Sequence, residues 1–241
     1  MKSIILTCLS ATLSISSLSA ESEDFNADMP LGFESVTGFR SDYIHRGFEL
    51  GESIFDFQVS GEAMIRDNVS IGYSAWYATE TSSGDFSETG FKLSTTTDLG
   101  NSQWSNSLTY RSLSNSALES GVDFTTKYSR LLATGTDDNS SHTISFIGSY
   151  DTGAQGWYGA VEYGHYKPLD KNSYLSFKTG VSLTENYYDR SGFNDLYARI
   201  SYTYHLTKQV SISPFLGTSL QLDTNNGSDH LYGGLWFEVS F

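Results

Sequence analysis

Twelve stretches of this chain alternate apolar and polar residues with a period of two. They lie near Val36–Arg46, Ile54–Ile65, Val69–Ala78, Glu88–Leu99, Gln103–Arg111, Val122–Leu132, His142–Tyr150, Trp157–Tyr166, Tyr174–Leu183, Leu196–Leu206, Val210–Leu220 and Leu231–Phe241. Side chains alternate across a strand, so each stretch reads as a two-faced β-strand. A strand needs about 9–11 residues to cross a bilayer at a steep tilt, and each run is close to that length. Turn-forming clusters separate the runs, among them Arg66-Asp67-Asn68, Leu99-Gly100-Asn101 and Pro168-Leu169-Asp170. No convincing helical period interrupts the series.

The charges decide what the two faces meet. Arg40, Asp42, Arg46, Asp56, Glu62, Glu88, Lys92, Arg111, Asp123, Lys127, Glu162, Lys178, Arg199 and Glu238 all fall on polar faces, and only Arg130 falls on an apolar one. A soluble sandwich also alternates, but its apolar face points inward. Here Tyr and Trp flank the apolar rows near strand ends (Tyr77, Trp104, Tyr110, Tyr128, Trp157, Tyr202, Tyr204), as interfacial girdles do. The expected fold is therefore all-β: one antiparallel transmembrane β-barrel of about twelve strands, with the fourteen polar-face charges lining the lumen.

Both ends of the chain agree. Lys2, an uncharged stretch from Ile4 to Leu18 and Leu18-Ser19-Ala20 read as a secretory signal peptide over residues 1–20. Residues 21–32 read as an acidic, disordered lead-in, and 33–241 as the barrel. The single Cys, Cys8, lies inside the signal peptide, so the mature chain is expected to carry no disulfide. At the other end Leu235, Phe237, Val239 and Phe241 occupy one face of the last run. A final strand ending on Phe resembles the closing strand of bacterial outer-membrane barrels, and that resemblance implies that the assembly machinery reads these residues.

Removing Lys2 leaves 13 basic residues against 28 acidic ones, a net charge of −15. Such an excess excludes nucleic acid as an expected partner and disfavours docking on an anionic surface. With an even strand number both termini lie on the periplasmic side, and the connections after odd runs are external. Those connections hold Glu49, Glu52, Glu80, Asp85, Glu119, Asp151, Glu185, Asp189, Asp195, Asp223 and Asp229, against Arg190 alone. The polar-face charges split seven to seven. The surplus negative charge is thus assigned to the loops, and with it a modest preference for cations.

Ser41-Asp42-Tyr43-Ile44-His45-Arg46-Gly47 resembles the opening motif of the TorF-type porin family, and Asn68–Trp76 is similar to that family's third-strand pattern. The pattern departs at Phe48-Glu49-Leu50. The resemblance implies an outer-membrane channel of undefined substrate. Read from the residues alone, Asp42, Arg46 and Gly47 are an interior ion pair and a turn.

Enzyme signatures are weak. There is no Gly-x-Ser-x-Gly elbow, phosphate loop or His-Glu-x-x-His. His142 and Ser145 fall on opposite faces of one run, and Asp189, Asp223, Asp229 and His230 read as ordinary loop content. No cofactor or metal is expected. Asp223, Asn225 and Asp229 make a weak calcium candidate, with Gly227 one place early and no following Glu. The expectation is a passive outer-membrane channel for small hydrophilic solutes or ions, with lipid and the barrel-assembly machinery as partners. The alternative is a non-channel surface barrel, adhesive or structural, working through its acidic loops. An outer-membrane hydrolase comes third.

Overall fold

A computed structural model describes residues 33–82, 84–134, 140–222 and 227–241. The expected signal peptide and lead-in lie outside the described residues. The rest forms twelve strands: β1 (Phe33–His45), β2 (Phe48–Arg66), β3 (Val69–Glu80), β4 (Ser87–Asp98), β5 (Ser102–Ser114), β6 (Gly121–Thr134), β7 (Ser141–Asp151), β8 (Gly156–Pro168), β9 (Ser173–Tyr187), β10 (Arg190–His205), β11 (Val210–Gln221) and β12 (His230–Ser240). Each strand pairs antiparallel with the next, and β1 pairs with β12, so the sheet closes without an edge. Closure satisfies every ladder, the condition for β structure in a medium that offers no hydrogen bonds. At the seam the amide of Phe241 donates to the carbonyl of Phe33 at 2.9 Å.

The apolar rows face outward. Phe57, Leu93, Phe124, Phe146, Leu196, Ile200 and Leu216 are each more than two-fifths exposed, although they sit mid-strand. Their cross-strand partners on the same face are apolar too, as in Phe39↔Phe55, Leu93↔Leu108 and Ile200↔Leu216. In water such a surface would be a large liability; against acyl chains it is the stable arrangement. Aromatic residues ring the two ends of this band, with Tyr77, Tyr110 and Trp157 at one end and Trp104, Tyr128 and Tyr202 at the other. This is an outer-membrane-type β-barrel.

Two hairpins run further than the sequence suggests. Gly47–Ser53 and Thr184–Asp195 read as loops because their charges break the alternation. Most of both segments is strand. Two-residue turns make this possible: Arg46 and Gly47 have φ of 52° and 79°, Tyr188 and Asp189 of 48° and 63°. Paired left-handed residues match the twist of antiparallel strands, and Gly is the residue that adopts this conformation without strain. The end of the barrel carrying these two turns is termed the outer end. Both chain termini of the barrel lie at the inner end.

Candidate functional site

The β1–β2 hairpin does not stay in the wall. β1 pairs with β12 only as far as Arg40↔Gly234, and β2 pairs with β3 only from Ile54↔Glu80 inward. Beyond those points the hairpin carries a register shift at Tyr43/Ile44 and a left-handed residue at Ser53 (φ 54°). Such irregularities bend a strand pair out of its sheet. The bend brings Tyr43, Leu50 and Ile54 into a small apolar cluster with Ala78 of β3, Phe86 of the β3–β4 connection and Leu118 of the β5–β6 connection. Ile54 and Ala78 are fully buried. The apolar residues of the hairpin therefore hold it inside the outer mouth.

Its tip reaches the opposite wall. Arg46 pairs with Asp123 of β6, donates to Ser149 of β7 (2.8 Å) and to the hydroxyl of Tyr187 of β9 (3.0 Å), and lies over the Tyr158 ring of β8. The carbonyl of Gly47 accepts from Gln221 of β11 at 2.7 Å and from Arg190 of β10 at 3.3 Å. Asn194 donates to the carbonyl of Arg46 at 3.0 Å. A guanidinium suits this place because its planar fork presents five donors to several acceptors at once. The hairpin thus crosses the outer end of the lumen and touches six strands, β6 to β11, that are not its neighbours in the sheet.

Beneath the hairpin lies a cavity of about 240 Å³, lined by Tyr43, His45, Trp76, Glu88, Lys92 and Arg111 among others. Trp76 Nε1 donates to Glu88 at 2.8 Å. Its indole lies where a Cβ on Gly90 would stand, 1.9 Å from Cζ2, so only Gly fits opposite it. Three buried polar atoms in this region lack a partner: His45 Nε2, Glu88 Oε2 and Arg111 Nη1.

Halfway along the lumen the charges form a second group. Arg40 pairs with Asp56. Lys127 and Lys178 share one oxygen of Glu162, at 3.3 and 3.5 Å, and Tyr197 donates to its other oxygen at 3.2 Å. Arg199 stands 4.0 Å from the centre of the Phe215 ring, which stacks on Trp236 with an interplanar angle of 12°. Arg40 lies over Tyr43 at 3.6 Å and approaches Trp236 at 5.6 Å. Toward the inner end Ser70 donates to Glu62, and Glu238 lies beside Glu34.

Thirteen of the fourteen polar-face charges project into the interior. Asp42 does not. The bend beyond Arg40 inverts the alternation, so Tyr43 points inward and Asp42 lies beside the exposed Glu49 and Glu52. The expected Asp42–Arg46 pair is absent, because Arg46 takes its carboxylates from β6 and β7. Asp151, Asp195 and Arg190, read as external loop charges, are instead buried inside the outer mouth at 3%, 2% and 6% exposure. Continuing the alternation of β7 one step past Ser149 places Asp151 inward, so that residue was within reach of the pattern. Asp223 and Asn225 of the calcium candidate lie outside the described residues, and Asp229 accepts from the amide of Gln221 at 2.9 Å. His142 bonds Tyr163 at 2.7 Å while Ser145 bonds Ser129 at 2.9 Å, so no Ser–His pair forms there. Leu235, Phe237, Val239 and Phe241 share one row of β12 and its end, with Phe237 and Phe241 exposed.

No protein family matches the sequence, and no curated protein matches it either. Solved structures share the fold. The COG4313 outer membrane channel from Pseudomonas putida F1 superposes with a TM-score of 0.61 at 8% identity, over 92% of this chain and all of that one. The KdgM porin gives 0.55 at 9% identity, over 86% of this chain and 99% of its own. LpxR from Salmonella typhimurium gives 0.58 at 10% identity, over 87% of this chain and 100% of its own. At such identities the likeness is one of fold: the closed twelve-strand barrel of bacterial outer-membrane proteins.

Proposed function

We propose that this protein is an outer-membrane channel for small hydrophilic solutes, closed at its outer mouth by the β1–β2 hairpin. The observation that carries the reading is an interior that is polar from end to end, interrupted by one folded-in element. Ser60, Glu62 and Ser70 lie at the inner end, the Arg40, Glu162 and Arg199 groups at mid-height, and Asp123, Asp151 and Asp195 at the outer end. Membrane barrels of about twelve strands leave room for water unless something fills them. Porins and channels share the fold. The kinship with TorF-type porins, carried by residues 41–47 and 68–76, belongs to the same reading. So do the periplasmic termini, the lumen-lining role of the interior charges, and recognition of the β12 end by the assembly machinery. The fold alone does not separate a channel from an enzyme.

The tie at Arg46 favours a gate, because it is polar and reversible, and because orphaned His45, Glu88 and Arg111 atoms lie where the hairpin meets the wall. Unsatisfied buried groups mark an arrangement that another conformation can relieve. The same tie would suit a permanently shut surface barrel, the second reading. Planar-bilayer recordings decide between them. Arg46→Lys keeps the charge but cannot span Asp123, Ser149 and Tyr187 together. The wild type should open rarely and Arg46→Lys several-fold more often, with both equally heat-modifiable on gels. Silence from both proteins would favour the surface barrel.

A further inference from the structure

The interior charges nearly balance in number but not in height. Carboxylates lie at both ends: Glu88, Asp123, Asp151 and Asp195 near the outer mouth, where Arg46, Arg111 and Arg190 accompany them, and Glu34, Glu62 and Glu238 near the inner one. The other five interior cations lie between the two ends. Lys92 lies within electrostatic reach of Lys127, Lys127 of Lys178, Lys178 of Arg199, and Arg199 of Arg40. Lys178 and Arg199 are direct cross-strand partners on the same inner face. Together the five run along the wall from β4 through β6, β9 and β10 to β1. The carboxylates that pair with them are Asp56, held by Arg40, and Glu162, shared by two lysines. Five cations less two carboxylates leaves a net charge of +3. Among the described residues, neither Lys92 nor Arg199 has a carboxylate within ion-pair distance, although Asp123 of the outer group lies within electrostatic reach of Lys92.

Adjacent like charges destabilise a sheet unless something else compensates them. The compensation visible here is aromatic: Phe215 under Arg199, with the stacked Phe215–Trp236 pair extending toward Arg40. Cation–π contacts hold a guanidinium in place without neutralising it. Lys127 and Lys178 keep about a third and a half of their side chains exposed, so their ammonium groups meet lumen water.

We infer that this cationic girdle is the selectivity filter of the pore and that it admits small anions in preference to cations. The inference rests on the channel reading. Rings of basic side chains at a constriction concentrate anions and repel cations, and low-dielectric walls focus their field. Charges on exposed loops are screened within about 10 Å at 0.1 M salt, so the acidic rim acts weakly on ions at mid-lumen. The cation preference expected from the loop charges is thereby reversed.

Reversal potentials under a KCl gradient, measured on the latch-weakened Arg46→Lys protein, should show a several-fold preference for chloride. Lys92→Gln with Arg199→Gln removes the two unpaired cations and leaves both ion-paired groups intact; it should abolish most of that preference. Cation selectivity in the Arg46→Lys protein, or unchanged chloride preference in the triple variant, would overturn the girdle. A separate measurement reads the girdle without conduction. Pyrophosphate at constant ionic strength should raise the melting temperature of the wild type more than that of Lys92→Gln/Arg199→Gln. No conductance combined with that difference in stabilisation would sink the channel and keep the anion site, whereas equal stabilisation of both proteins would sink the site.

Discussion

At the scale of the residue, the two faces of a strand live in different solvents, and the cost of a charge measures which is which. Phe57 and Ile200 are 43% and 45% exposed on the outer face, while Ser60, three residues from Phe57, is 3% exposed on the inner one. Phe57→Arg or Ile200→Arg should cost roughly 2–4 kcal/mol, the range for a basic residue at the bilayer midplane. Ser60→Arg projects into a polar lumen and should cost far less. Denaturant titration of folding into lipid vesicles checks this, and similar costs at the two faces would contradict the assignment of lipid and lumen. Arg46 sits at the other extreme. Its side chain is 12% exposed and its carboxylate partners 7% and 4%. Arg46→Ala, unlike Arg46→Lys, takes from Asp123 its only ion-pair partner among the described residues and leaves Asp151 to Arg111, and should destabilise by roughly 3–5 kcal/mol. In the sequence Arg46 reads as an interior charge at a turn, paired with Asp42; its partners across the lumen are not visible there.

At the scale of the element, all twelve strands were legible, because lipid outside and water inside impose the period of two residue by residue. The hairpin was not. Its departure from the wall depends on a bulge at Tyr43/Ile44, a left-handed Ser53 and apolar contacts from Phe86 and Leu118, all set by tertiary packing. One consequence is that the alternation slips, so Asp42 lies beside Glu49 and Glu52 while Asp56, past the bend, faces Arg40. The charge content of the interior was legible only in part, since Asp151, Asp195 and Arg190 read as loop charges and are buried in the outer mouth, and its sorting by height was not legible, since height depends on register. The closing strand is the element whose loss is easiest to test. β12 holds both sides of the seam, and Phe241 donates to the first residue of β1. Deleting Phe241, or changing it to Ser, should lower the amount of heat-modifiable barrel in the outer membrane. Unimpaired assembly would show that neither the seam bond nor the terminal aromatic matters.

At the scale of the whole molecule, the barrel has a long-hairpin end and a short-turn end, and its orientation can be read chemically. Residues 33–241 contain no Cys, so single cysteines placed in the barrel report without background from it. Ser116→Cys, in the β5–β6 connection, should react on intact cells with a membrane-impermeant maleimide. Lys171→Cys, in the β8–β9 turn, should react only after the outer membrane is breached. The opposite pattern would invert the barrel, and with it the assignment of the hairpin to the cell exterior.

The ties that hold the hairpin also say when it can close. Arg46 meets Ser149 and Tyr187 across 103 and 141 residues of chain, and Gly47 meets Gln221 across 174. Every backbone ladder apart from the seam joins strands that are neighbours in sequence. Contacts between such distant segments form late, because the ends of a long loop must first be brought together. The plug has no socket until β6 to β11 stand in place, although its own two strands leave the ribosome first. A half-built wall is therefore a leaking one, and seating of the Arg46 turn marks the moment at which construction is complete.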